Sequence, residues 1–340
     1  MSGSAPQPSG GPRVALIGAG MISLYHLRAW GNSGTQVVAV CDVDRSKAQA
    51  RADEFGIPRV YDDPEALFAG GGFEIADIAA SVGAHGPLSR MAADHSVHVM
   101  LQKPMAETVR EAEALVSYVG ERVRFMVHEN YRFRPHYMTV RRWIAEGRIG
   151  SIRHAAISCR GSGLCPREGD VPFLIERQPY LTGFTRNLVF ETMIHHLDVL
   201  RCLCGPLRVV AARLGRLAEG LPGEDTAAIL LEGEDGFIAT ADGSICAPGY
   251  PPLHGDRVEI IGTKSTVIMD YNRVYLVGGE GEAEEIDLLG RYQECFDTVM
   301  AAFLAGLRDG TPFETDRLDN LETVRLMESV YRAAGVEIPQ

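Results

Sequence analysis

Residues 190–198 read FETMIHHLD, a stretch in which Glu191, His195, His196 and Asp198 interrupt Phe, Met, Ile and Leu. Charge among such neighbours is costly unless paired, so the cluster is either a satisfied network or a reactive site. On a helix over 188–204, positions 191, 195, 198 and 202 share one face, beside an apolar stripe of Met193, Leu197, Leu200 and Cys204. His196 lies about 100° around the axis from His195, so one pocket can use only one of them. We assign His195 to the pocket and His196 to the interior. A neutral imidazole takes up a proton near neutral pH, and a nearby carboxylate orients it and stabilises its charged form. Glu and His at this spacing can also ligate zinc. There is no HExxH and no evident third ligand, so no metal is expected.

Two further stretches carry chemistry. VMLQKPMAET, residues 99–108, places Lys103 directly after an apolar run. A lysine at the C-terminal end of a parallel strand can polarise a substrate hydroxyl or carbonyl, although taken alone Lys103 also fits a solvated surface. VALIGAGMIS, residues 14–23, supplies Gly18 and Gly20 of a GxGxxG pattern, with Ser23 at the third position. The first glycine permits the tight turn, and the second lets the backbone approach a pyrophosphate at a helix N-terminus. Asp42 ends the next apolar run, 22 positions after Gly20. A carboxylate there accepts from ribose hydroxyls and repels a 2′-phosphate, which favours NAD over NADP. Its alternative is a turn residue.

The elements that must position these groups follow from periodicity. RVALI (13–17), QVVAVC (36–41), IADIAA (75–80), HVML (98–101) and VRFMV (123–127) are nearly continuous apolar runs. Strands covered by helices on both faces read this way. Helix-patterned segments between them predict a doubly wound parallel sheet, an α/β Rossmann domain over 13–130. After about residue 130 the pattern changes to a helix at 136–146, a strand at 151–160 and an irregular stretch at 161–187. A helix at 188–204 and consecutive strands at 207–218, 225–232, 236–243, 256–262, 265–270 and 273–277 follow. Two helices in 291–335 close the chain. This is an α+β domain over 131–340 with an open, mostly antiparallel sheet, whose last helix is free to pack back on the first domain. The irregular stretch carries Arg167, Arg177, Tyr180 and Arg186, to which no role is assigned.

Bulk properties exclude other classes. The 340 residues are 46% apolar and 23% charged, as in a soluble globular protein, and long enough for two domains. A net charge of −12 argues against nucleic acid or an anionic membrane as partner. No apolar run approaches the roughly 18 residues of a membrane span. Residues 1–12 lack the features of a signal peptide and read as a flexible tail. Seven cysteines with no CxxC pair fit reduced thiols in a cytoplasmic protein.

The glycine loop, QKP (102–104), ENYRFRP (129–135) and ETMIHHLD (191–198) together resemble the GFO/IDH/MocA oxidoreductase family. The family usually carries Glu where Gln102 stands, and Asp where Glu191 stands. The resemblance implies a catalytic set of Lys103, Glu191 and His195. It implies cofactor contacts from Gly18, Gly20, Met21, Ile22, Asp42, Ser81, Gln102 and Lys103. It further implies a substrate site of Lys103, Tyr131, Arg132, Glu191 and His195, although Arg132 fits a structural ion pair equally well. The second-domain sheet is expected to form a homodimer or homotetramer. SVGAH (81–85), HENYRF (128–133), RQPY (177–180) and LVFETMIHHLD (188–198) are similar to the D-apiose dehydrogenase-like branch, which oxidises a branched pentose at its anomeric carbon to a lactone. The expected activity is therefore NAD-dependent oxidation of a sugar or polyol hydroxyl. An NAD-dependent glycosidase and a non-catalytic dinucleotide-binding regulator are the alternatives.

Overall fold

The five apolar runs of the first third become strands β1 (Val14–Ile17), β2 (Val37–Cys41), β4 (Ile75–Ile78), β5 (His98–Gln102) and β6 (Phe125–His128) in the computed structural model. A sixth strand, β3 (Arg59–Tyr61), was not evident from the sequence: three half-buried residues at a sheet edge make no apolar run. All pairings are parallel, in the order β3-β2-β1-β4-β5-β6. β1, β4 and β6 are buried along their whole length because helices such as Ser23–Asn32 and Val82–Asp94 pack against the sheet. The structure describes residues 11–167, 171–253, 255–278, 283–287 and 291–339. Apart from Gly11 and Pro12, the expected tail lies outside them.

The chain divides into two units. The parallel sheet belongs to a unit built on residues up to Met105, Glu113–His128 and Phe296–Arg317. Phe296 and Phe303, from the helix Tyr292–Asp309, complete its interior against Tyr25, His26 and Trp30.

The other unit comprises Ala106–Ala112, Glu129–Cys295 and the chain from Leu318 onward. Its sheet contains β7 (Ile152–Arg160), β8 (Leu207–Gly215), β9 (Thr226–Gly233), β10 (Ile238–Ser244), β11 (Gly255–Gly262), β12 (Thr266–Asp270), β13 (Arg273–Leu276) and the short β14 (Ala283–Glu285). Their order is β14-β13-β12-β11-β7-β10-β9-β8, antiparallel except where β10 pairs with β7. Burial alternates along β7, β9 and β10, so one face is covered and the other open. Helices Pro135–Ala145 and Ile194–Cys204 contribute Tyr137, Trp143, Leu197 and Leu200 to the buried interior.

The expected helix over 188–204 is not uniform. Leu188–Met193 is π-helical, and the α-helix begins only at Ile194. Long-range bonds hold the wider turn. Glu224 accepts from the amides of Asn187 (3.1 Å) and Val189 (3.0 Å), and from the Tyr331 hydroxyl at 2.7 Å. Tyr331 Oη in turn accepts from the Phe190 amide at 3.1 Å.

Candidate active site

In the first unit the predicted nucleotide residues collect at the C-terminal ends of β1, β2, β4 and β5. Gly18 has φ +101°, and a Cβ there would lie 2.5 Å from the Ala79 carbonyl carbon, so only glycine fits. Gly20 is exposed and a Cβ there meets nothing within 4 Å, which leaves its backbone open to a ligand at the start of the helix Ser23–Asn32. Ser23 is fully buried and its hydroxyl donates to Gly20 O at 2.6 Å, closing the loop where a third glycine was expected. Asp42 is half-buried; Oδ2 accepts from the Ala19 amide at 2.7 Å and Oδ1 from the Asp44 amide at 2.9 Å. A carboxylate has about four lone-pair positions, so this pairing leaves acceptor capacity for a ribose. These features fit a dinucleotide. Met21 and Ser81 are exposed along the same strand ends, and Ile22 is half-buried against the core.

Gln102 departs from expectation. Its side chain is only 9% exposed; Nε2 lies 3.1 Å from His26 Nε2, and Oε1 accepts from the Lys103 amide at 2.8 Å. In the protein itself both ends of the amide are engaged internally. Lys103 itself is half-exposed. His85 fixes the chain beyond it, with ring nitrogens 2.8 Å from Pro104 O and 3.0 Å from Ala80 O.

In the second unit the structure assigns His195 a partner that sequence reasoning missed. His195 Nδ1 lies 2.5 Å from Glu129 Oε1, with Glu129 fully buried and His195 7% exposed. The same oxygen accepts from the Tyr131 amide at 3.2 Å, capping the turn Asn130–Phe133. The Tyr131 ring lies flat on the imidazole, 4.0 Å between centroids and 4° between planes. Its opposite face carries the Arg134 guanidinium at 3.5 Å. Burial pushes the Tyr131 phenol well above its usual value, with Arg134 opposing, so the ring stays neutral between its two neighbours. A buried Glu directly after an apolar strand and directly before a turn was the available signal; its partner, 66 residues away, was not.

His196 diverges from His195. Fully buried, it sets Nε2 2.9 Å from Asp256 Oδ1, while Tyr137 donates to Oδ2 of the same carboxylate at 2.9 Å. Glu191 is half-buried within the π-helical turn. Glu191 lies before the change of winding at Ile194, so the α-helical period that aligned it with His195 does not extend to it.

Residues 12–130 match the GFO/IDH/MocA model described as "Oxidoreductase family, NAD-binding Rossmann fold", and residues 137–268 match that family's C-terminal domain. The chain belongs to the GFO/IDH/MocA oxidoreductase family. It is 32% identical to the D-apiose dehydrogenase of Rhizobium rhizogenes, over 94% of each chain. It is 28% identical to the inositol 2-dehydrogenase of Rhizobium meliloti, over 95% of this chain and 97% of that one. A crystal structure of an oxidoreductase from Agrobacterium radiobacter with NAD+, L-tartaric acid and magnesium superposes with a TM-score of 0.88 at 30% identity, covering 95% and 96% of the two chains. As a member of this family the protein is an oxidoreductase acting on CH–OH groups, with NAD as its cofactor.

Arg132, expected at the substrate site, is held within the interior of the second unit. Arg132 is 5% exposed and bonds Asp198 through Nε (2.5 Å) and Nη2 (2.8 Å), and Asp319 through Nη2 at 2.6 Å. Burial alone would lower its pKa; Asp198 and then Asp319 outweigh that and hold it above its usual value. Arg132 makes the structural ion pair that the sequence allowed as its alternative. Asp198, fully buried, also accepts from Thr323 at 2.6 Å and does not join His195. In the irregular stretch, Arg186 is buried over Phe190 and donates to Glu107 O at 2.8 Å. Arg167 pairs with Glu176 at 3.8 Å, Arg177 is exposed, and Tyr180 is 48% exposed beside Phe184. Among the described residues no cluster of three or more His, Cys, Asp or Glu could hold a metal, and no helix is long and apolar enough to cross a membrane.

Proposed function

We propose that this protein is an NAD+-dependent sugar dehydrogenase oxidising an aldose such as D-apiose at C1 to the lactone, with Lys103, His195 and Glu191 as its catalytic residues. The held imidazole of His195 is the observation that carries the reading. With Nδ1–H donated to Glu129, the neutral ring has its lone pair on Nε2, the state a general base requires. Nε2 takes the hydroxyl proton as the adjacent C–H bond breaks, and Glu129 balances the imidazolium that forms. The Lys103 ammonium stabilises negative charge developing on a substrate oxygen, and Glu191 orients the substrate's hydroxyls. Bound NAD+ supplies the hydride acceptor. At an anomeric carbon, loss of hydride and proton turns a cyclic hemiacetal into a lactone. The 32% identity to a D-apiose dehydrogenase supports this substrate class.

We also read the protein as a cytoplasmic homo-oligomer assembled through the second sheet. The seven free cysteines support a reducing compartment. Leu230, Ile238 and Ile261, exposed on the open sheet face, support assembly there.

Absorbance at 340 nm, with NAD+ and a panel of D-apiose, other pentoses, hexoses and inositols, tests the activity. D-Apiose is expected to give the highest kcat/KM, and Lys103→Ala to remove turnover while leaving NAD+ affinity nearly intact. NAD+ binding without turnover on any member of the panel would overturn the reading.

A further inference from the structure

The parallel sheet holds a carboxylate at its centre. Asp77 lies in β4, between β1 and β5, fully buried among Ile75, Ala76 and Ile78. Such a group destabilises the fold unless every oxygen is used. Trp30 Nε1 donates to Asp77 Oδ2 at 2.6 Å, and His26 Nδ1 lies 3.0 Å from both oxygens. His26 is itself fully buried, its ring stacked on His128 at 4.3 Å with the edge of Phe296 at 5.7 Å.

Each link of this chain dictates the next. Asp77 accepts, so Nδ1 of His26 carries the hydrogen and Nε2 of the neutral ring is an acceptor. The Gln102 group 3.1 Å from Nε2 must therefore be the amide NH2, not the oxygen. That orientation leaves Oε1 facing the Lys103 amide, from which it accepts at 2.8 Å. The Gln102 amide donates to His26 and accepts from Lys103 at once; an ionised carboxylate at 102 has no hydrogen to donate and could bond Nε2 only if His26 carried a second proton.

We propose that Asp77 and His26 are positioning residues that act through Gln102 to hold the Lys103 backbone in its working orientation. The proposal rests on the assignment of Lys103 to the reaction. A misplacement of about 1 Å at a reacting group can cost on the order of a hundredfold in rate, which is what a fixed backbone amide beside Lys103 prevents. Among the described residues, Asp77 and His128 face His26, and burial holds the His128 imidazole well below its usual pKa.

The test compares Gln102→Met, which keeps the length but removes both amide bonds, with Gln102→Glu and Lys103→Ala. In full-length protein without cofactor, nitrogen-15 NMR of the His26 ring should report the Nδ1–H tautomer in wild type. Gln102→Glu should convert it to imidazolium. With NAD+ and D-apiose, Gln102→Met should lose at least tenfold in kcat while the Kd for NAD+ changes less than threefold. Gln102→Glu should retain kcat at low pH and lose it as pH rises, a limb absent from wild type. Wild-type kcat in Gln102→Met, with Lys103→Ala inactive, overturns the relay alone. Full turnover in Lys103→Ala overturns the role of Lys103, and the relay with it.

Discussion

Glu129 Oε1 sits 2.5 Å from His195 Nδ1 at the start of the second unit, with the Tyr131 ring flat against the imidazole. If His195 takes the substrate proton as proposed, this carboxylate selects its tautomer and stabilises the charged ring that results. Glu129→Gln keeps a hydrogen-bond acceptor but removes the charge. We expect kcat to fall by roughly one to two orders of magnitude, within the range general-base catalysis contributes. Loss of the neighbouring negative charge disfavours imidazolium, so the acid-side limb of kcat/KM should move to lower pH. An unchanged pH profile would show that another group takes the proton.

Asp42→Ala would remove both the loop bonds of Asp42 and the ribose contact proposed for it, so the two need a subtler variant to separate. The Asp42 carboxylate ties the glycine loop through the Ala19 amide, and its remaining acceptor capacity suits a ribose. Asp42→Asn keeps one oxygen for the loop and loses the charge that repels a 2′-phosphate. Fluorescence titration should show NAD+ binding weakened about tenfold, which corresponds to about 1.4 kcal/mol, and a narrower gap between NAD+ and NADP+. A preserved preference for NAD+ would locate the discrimination elsewhere.

What the sequence made legible follows the range of the interactions. The strands of the first sheet read directly because burial on both faces leaves continuous apolar runs, and the glycine loop reads because its constraint lies within a few residues. β3 escaped because an edge strand of three half-buried residues carries no such run. The π-helical turn escaped because Glu224 and Tyr331, distant in sequence, hold it. For the same reason the carboxylate beside His195 was sought four positions back in the helix, whereas it comes from Glu129. Nothing in the sequence pointed to the bond between Gln102 and His26, 76 positions apart. Local periodicity marks which residues are buried; it does not name their partners.

Asp198 separates a structural carboxylate from a reactive one. It is fully buried and bonded by Arg132 and Thr323, while Arg201 lies 3.7 Å away. Asp198→Ala leaves the buried Arg132 guanidinium to Asp319 alone, and removal of one partner of a buried pair costs up to about 3–5 kcal/mol. Urea unfolding should show that loss, while Asp198→Asn should unfold at lower urea than wild type yet keep kcat within about threefold. A large fall in kcat at unchanged stability would return Asp198 to the reaction.

Among the described residues, two buried histidines lack hydrogen-bond partners, and they are expected to limit stability at acid pH. Neither ring nitrogen of His128 or of His136 is bonded, and both side chains are buried. Burial, and then Arg134, push His136 down to about 3. Burial, and then His26, hold His128 well below its usual value. In the unfolded chain each takes up a proton near pH 6.5, while the folded protein refuses it until far lower pH. The unfolded state therefore binds more protons throughout that window, so stability rises with pH within it and is lost on acidification from about 6.5 downward. The slope approaches about 1.4 kcal/mol per pH unit for each histidine. Denaturant unfolding at pH 7.5 and 5.5 should differ by roughly 3 kcal/mol from the two together. His136→Phe and His128→Phe keep an aromatic ring and remove unpaired nitrogens; each should remove about half of that difference and stabilise the protein at pH 5.5. If both variants retain the wild-type pH slope, the acid sensitivity arises from other groups.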